Sequence, residues 1–342
     1  MSVLVVANFL SVNGRNRSYS EELSDRMESR GQRVVRTSTE IGRARRLVDM
    51  LATAWRRRQD YRVALVDVFS GPSFVWAEAV AFELRRLGKP YALTLRGGSL
   101  PAFAQRWPRR VRHLLSSASI VIAPSGFLVD GMRRHRADLT VIPNAIDVES
   151  YAFTARRRVA PRLVWVRALH EIYNPVLAVE VLAQISATYP DARLVMIGPD
   201  KDRSRETVEK HARHRGVRDR LELVGQVPKR EIPAHLAGAD IFLNTTNIDN
   251  APVSVIEAMA TGLCIVSTNV GGLPYLLRDG ETGMLVPPDD ATSMVQAVEN
   301  ILGDPNLAAR LSAQARAAAE EHEWRRVLAQ WEHVIEKVAQ HA

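Results

Sequence analysis

A chain of 342 residues is too long for one ordinary hydrophobic core, so two domains are expected. Hydrophobic residues at 46% and charged residues at 25% fit a soluble globular protein, and the single cysteine, Cys264, excludes an internal disulfide and suits a reducing compartment. The net charge of +8 is uneven: residues 1–150 hold 24 Lys and Arg against 14 Asp and Glu, giving +10, while the rest holds 22 against 24, giving −2. A basic first half suggests an anionic partner such as acidic lipid, an anionic acceptor or nucleic acid, or else only an arginine-rich solubilising surface.

In chain order, the opening residues 1–7 lack the basic n-region and cleavage pattern of a signal peptide, and no apolar run approaches the length of a membrane span. A cytoplasmic protein is expected, with any membrane contact made peripherally at the inner face. Short β-branched runs at 2–8, 33–37, 63–69, 91–95, 119–123 and 140–142 alternate with helical patterns at 20–30, 43–58, 72–87, 101–116 and 126–136. The alternation restarts with strands at 163–166, 193–197, 221–224, 241–243, 264–268 and 284–286, separated by helices such as 175–188 and 203–215. Near-continuously apolar strands without hairpin turns predict parallel sheets covered on both faces, hence an α/β chain of two doubly wound, Rossmann-like domains. The expected division is 1–150, 151–325 and a C-terminal helix at 326–342 packing back across the junction. Arg156, Arg157, Arg158 and Pro161 mark the connector as exposed.

Residues 244–262 carry the strongest functional signal. An apolar run, Ile241 to Leu243, enters a polar loop that opens a short helix, and Gly262 can stop it. Asn250 is expected to cap the helix, with Pro252 tolerated in its first turn. The amides of Val253 and Ser254 then lack intrahelical acceptors and, with the helix dipole, form a phosphate site to which Ser254 adds a hydroxyl. Glu257 lies deeper, where a carboxylate can accept two hydrogen bonds from a vicinal diol such as a ribose. Asp249 on the loop faces the other end of a bound molecule. The plainer alternative is an ordinary capped helix at a strand's end.

Other loops follow strands. Gly97 and Gly98, beside Arg96, allow close backbone approach to a ligand, and Asn13-Gly14-Arg15 would face the same cleft; both loops are otherwise tight turns. Phe103, Trp107, Val111 and Leu115 recur at four-residue steps among Arg106, Arg109, Arg110 and Arg112, and residues 43–58 have a similar basic edge. Such a pattern lies on an anionic bilayer or, as the favoured alternative, packs into the core. His211 and His214, on a polar helix, are expected to be solvated. There is no Walker P-loop, zinc spacing or nucleophile elbow, and no Gly-x-Gly-x-x-Gly follows the first strand.

Asp249 and Glu257, eight positions apart around a helix start, followed by Ala258-Met259-Ala260-Thr261-Gly262 and Gly271-Gly272, resemble the nucleotide-sugar motif of the GT-B glycosyltransferases, specifically the retaining family 4. Residues 141–147 and 279–286 resemble further pieces of that family in order, so the resemblance is strong over 140–302 and architectural before that. It implies a nucleotide diphosphate sugar donor, most simply UDP-linked, as co-substrate, with no cofactor and no metal. It also implies transfer with retention to an acceptor (glycan, lipid-linked or small molecule) on the first domain, and no nucleic-acid partner. Glu257 should hold the ribose, the amides of Val253 and Ser254 the distal phosphate, and Asp249, aided by Asn250, the donor sugar. Aspartate at 249 is one methylene shorter than the family's usual glutamate. Arg167 fits the arginine that grips the diphosphate. The family's lysine position falls on Asn174, and its first-domain histidine on Arg96; His170, if protonated, offers a replacement cation. The loop at 225–231, with Val227, should touch the nucleobase. Alternative readings are a catalytically weak binding protein of the same fold, a nucleotide-sugar epimerase or a phosphorylase.

Overall fold

The computed structural model describes residues 1–14 and 17–340, so Arg15 lies outside the described residues. The chain divides into two compact units, residues 1–144 with those from Arg325 onward, and Ala145–Trp324. In the first unit β1 (Ser2–Val6), α1 (Tyr19–Ser29), β2 (Arg33–Thr37), α2 (Arg43–Arg56), β3 (Val63–Val68), α3 (Phe74–Arg86) and β4 (Tyr91–Leu95) alternate. They are followed by α4 (Leu100–Arg106), α5 (Pro108–Ser116), β5 (Ile120–Ala123), α6 (Gly126–Met132) and β6 (Leu139–Val141). The second unit runs β7 (Arg162–Val166), α7 (Pro175–Thr188), β8 (Arg193–Ile197), α8 (Ser204–His214), β9 (Leu221–Gly225), α9 (Ile232–Ala237) and β10 (Ile241–Asn244). It continues with α10 (Val253–Thr261), β11 (Cys264–Thr268), α11 (Leu273–Leu276), β12 (Met284–Val286), α12 (Ala291–Gly303) and α13 (Pro305–Ala319), and α14 (Trp324–Ala339) follows.

Each unit holds one six-stranded sheet, ordered β2-β1-β3-β4-β5-β6 and β12-β11-β10-β7-β8-β9, with every strand pairing parallel. Strand order reverses beside β1 in one unit and beside β7 in the other. In doubly wound sheets a ligand site lies at the carboxyl ends of the strands flanking that switch point. Alternation within strands builds the two faces. Leu163 and Trp165 of β7, Ile241 and Leu243 of β10, and Cys264 and Val266 of β11 join one core cluster, whereas Val164, Phe242 and Ile265 join the other.

Three expectations are corrected. The helical pattern at 101–116 is two helices meeting at Trp107, because Pro108 has no N–H to continue the first. Val111 and Leu115 are buried there while Trp107 is exposed. The connector is not wholly exposed: Arg156 is only 4% accessible. Its guanidinium lies 3.1 Å from the equally buried carboxylate of Asp240 and donates to the carbonyl of Ala239 at 2.8 Å. Arg162 closes on the same carboxylate at 2.8 Å. His211 is not simply solvated, since its Nε2 lies 2.9 Å from Glu180 Oε2.

Candidate active site

The site is assembled where β7, β8, β10 and β11 end. Thr245 locks the loop after β10 in place: its hydroxyl accepts from Trp165 Nε1 at 2.9 Å and donates to the Tyr173 carbonyl at 2.8 Å. The Asn247 amide bonds the Ile172 carbonyl at 2.9 Å, and the Thr268 hydroxyl donates to the Thr246 carbonyl at 2.6 Å. Two loops distant in sequence, 167–174 and 244–252, are therefore stitched into one surface.

Arg167 and Asp249 meet on it. The guanidinium Nη2 donates to Asp249 Oδ2, and Asp249 Oδ1 accepts the Asn250 amide at 2.8 Å. The guanidinium also stacks over Tyr173, 4.5 Å from the ring centre, a cation–π contact that sequence reasoning missed. Arg167 Nε is buried without a hydrogen-bond partner, so the head group keeps a donor unused. Gly198 makes the position possible: a Cβ there would lie 1.8 Å from the Arg167 carbonyl oxygen.

Beyond Asp249 the chain turns into α10. The helix begins at Pro252, with no side-chain cap, and Gly262 closes it at φ +80°. The expectation that Asn250 caps it is corrected: Asn250 is buried two residues upstream of the cap. The Val253 and Ser254 amides have no protein acceptor among the described residues, as expected of first-turn N–H groups. The Ser254 hydroxyl is itself buried and unpartnered, with the residue 8% exposed. One turn on, Glu257 is 5% exposed, so its carboxylate sits inside the protein rather than in solvent. The Gly271-Gly272 turn supports this loop from behind. The Gly272 amide bonds the Asp249 carbonyl at 3.0 Å, and a Cβ at Gly271 or Gly272 would lie 2.1 Å from Asp249 O or 1.6 Å from Asn250 O. Val227, after β9, and Val253 both pack partly buried against the same core cluster.

The remaining candidates are placed differently. Asn174 adopts φ +44° and caps α7, accepting the Leu177 amide at 3.4 Å and donating to Asp289 at 3.0 Å. His170 Nδ1 accepts the Ile172 amide at 3.1 Å and lies 3.6 Å from Asp202 Oδ2. Arg96 belongs to the first unit, where its Nε donates to Asp67 at 3.2 Å, its plane lies 4.7 Å from the Tyr19 ring centre, and its Nη2 is buried without a partner. Gly97 takes φ +90° beside it and Gly98 follows. Asn13 bonds the Thr39 carbonyl at 2.8 Å rather than joining Arg96, and Gly14 closes its turn at φ +73°. Asp67, unremarked in the sequence, gathers Ser20 (2.6 Å), Thr94 and Arg96 at the end of β3. No cluster of three or more His, Cys, Asp or Glu suited to a metal occurs among the described residues.

Two family descriptions match the chain almost end to end, Glycosyltransferase Family 4 over residues 6–150 and Glycosyl transferases group 1 over residues 155–318. The chain belongs to glycosyltransferase family 4, group 1. The group 1 match spans both the Arg167 and the α10 loops. Among relatives of this family-4 chain is the phosphatidyl-myo-inositol mannosyltransferase of Mycobacterium tuberculosis, 28% identical over 214 residues. That match covers 59% of this chain and 55% of the relative, so the chain spans less than two thirds of the relative's length. The glycogen synthase of the same organism is 29% identical over 188 residues, covering 53% of this chain and 44% of that one. In fold, the family-4 chain superposes on sucrose-phosphate synthase from Thermosynechococcus elongatus with a TM-score of 0.83 at 18% identity, over 100% of both chains. It superposes on Anabaena Alr3699/HepE, solved with UDP and glucose, with a TM-score of 0.77 at 16% identity, over 98% of this chain and 99% of that one. The fold is GT-B, two Rossmann-like domains.

Proposed function

We propose that this family-4 chain moves a sugar from a nucleotide diphosphate sugar to an acceptor hydroxyl, with retention of anomeric configuration, without a metal ion, and with UDP as the carrier. One observation carries the reading: a buried, unpartnered Ser254 hydroxyl at the uncapped start of α10, one turn before the buried carboxylate of Glu257. A phosphate suits the first position and a ribose diol the second. The UDP and glucose found with Alr3699/HepE support the choice of carrier.

In this reading Arg167 neutralises charge on the departing diphosphate, and Asp249 holds the guanidinium until sugar hydroxyls share the carboxylate. The bond from the anomeric carbon to the phosphate oxygen breaks. The bond from the acceptor oxygen to the same carbon forms on the same face, and the acceptor's proton passes to the departing phosphate oxygen. No side chain acts as general base, so the rate derives from positioning and charge stabilisation. Asn174, engaged as a helix cap, favours a second reading in which the same binding site turns over slowly.

A thermal-shift screen with UDP-, GDP- and ADP-sugars tests the proposal, because bound ligand raises stability with occupancy. We expect a rise with a UDP-sugar. A rise with a GDP-sugar alone moves the carrier, and no rise with any of them overturns the donor reading. EDTA is expected to leave turnover unchanged, and NMR of the product to show the donor's anomeric configuration kept.

A further inference from the structure

We propose that the outer face of α2, α3 and α5 docks on an anionic lipid bilayer. Right-handed crossovers put these helices on one side of the first unit's sheet, and all three contribute to one core cluster through Met50 and Ala54, Phe74 and Leu84, and Val111 and Leu115. Their opposite sides face away from the sheet. Of the eleven exposed large hydrophobic side chains among the described residues, six lie on or beside this layer: Ile41, Val48, Trp55, Val75, Phe82 and Trp107. Val48 and Trp55 of α2 are seven residues apart, as are Val75 and Phe82 of α3, so each pair lies along one helix face, and Ile41 sits just before α2. These residues are uncovered, with Val48 65% and Phe82 60% exposed.

Charge decides what covers such a face. Residues 41–116 hold 15 Lys and Arg against 5 Asp and Glu, a net +10, whereas the other residues up to 150 hold 9 of each and cancel. The whole positive excess of the first half thus falls on the segment that supplies this layer. Arg43, Arg45, Arg56 and Arg109 are exposed and make no ion pair among the described residues. Arg58 and Arg106 lie over Trp55 and Trp107, 4.9 and 5.8 Å from the ring centres. A second copy of the chain would bring the same sign of charge against itself. A nucleic acid would satisfy the arginines and leave the apolar stripes without purpose. An interface of acidic headgroups over acyl chains satisfies both.

The full chain is sedimented with vesicles of phosphatidylcholine alone and with vesicles containing about 30 mol % phosphatidylglycerol, where surface potential attracts basic segments. We expect binding to the anionic vesicles only, weakening as salt is raised, with a blue shift of tryptophan fluorescence from Trp55 and Trp107. The triple variant Val48→Ser/Trp55→Ser/Phe82→Ser should lose about tenfold in vesicle affinity. The triple variant Arg45→Glu/Arg56→Glu/Arg109→Glu should lose at least as much, and Tyr275→Ser, exposed in the other unit, should lose nothing. Circular dichroism verifies that each variant is folded. Equal binding by wild type and both triple variants, or binding that ignores lipid charge, overturns the proposal. So does concentration-dependent dimerisation, abolished by the serine variant, without vesicle binding. Vesicle binding needs no sugar donor, so its failure is distinct from failure of the glycosyltransferase reading.

Discussion

Ser254 and Glu257 lie one turn apart on α10, and their surroundings separate binding from folding. The Ser254 hydroxyl has no partner to lose in the free protein. Ser254→Ala should therefore leave the melting temperature unchanged or slightly raised, while weakening nucleotide diphosphate binding by about 1 kcal/mol. Calorimetry and a thermal melt on the same preparation check both. Arg167→Lys keeps the charge but loses the planar fork that engages Asp249 and stacks on Tyr173. It should lower turnover about tenfold or more, which a nucleotide-release assay measures. Cys264 stands apart from this chemistry: burial pushes its thiol up to about 12, and its Sγ contacts the Ala308 carbonyl at 3.6 Å. Iodoacetamide at pH 8 should leave it unmodified until the protein is unfolded, as mass spectrometry will record.

At the scale of elements, two arrangements hold the site in shape. The loop before α10 rests on a glycine turn so close that Gly272→Ala forces backbone apart, its Cβ otherwise 1.6 Å from Asn250 O. We expect that variant to lose nucleotide affinity and stability together, by about 1–3 kcal/mol in a denaturant titration. The second is the buried charge pair at the feet of β7 and β10. Asp240→Ala strands the Arg156 guanidinium in the interior and should cost about 3–5 kcal/mol, visible as a large fall in melting temperature. These elements also show what a sequence reveals. Strands such as Tyr91–Leu95, Arg193–Ile197 and Cys264–Thr268 are legible to the residue, because a buried parallel strand is a near-continuous apolar run. Arg156 reads as exposed because its burial depends on an acid 84 positions later. Asn250 reads as a cap although Pro252, itself extended at ψ 117°, starts the helix two residues beyond it. The steric need for Gly198 and Gly272 lies in backbone contacts between distant loops, which no local pattern encodes.

For the whole molecule, a GT-B chain whose second unit carries a preformed α10 site should recognise its nucleotide through that unit's own residues. In the proposed donor reading Glu257 is the group whose role is most specific to a nucleotide, since a buried carboxylate suits a ribose diol rather than a phosphate. Titration calorimetry of UDP against the wild-type protein and Glu257→Ala is accordingly the most direct measurement. The wild type is expected to bind, and the variant to bind about 1–3 kcal/mol more weakly, through lost hydrogen bonds to a charged group. Equal affinity of the two proteins, with the variant shown to be folded, would contradict the ribose assignment and the donor site built on it.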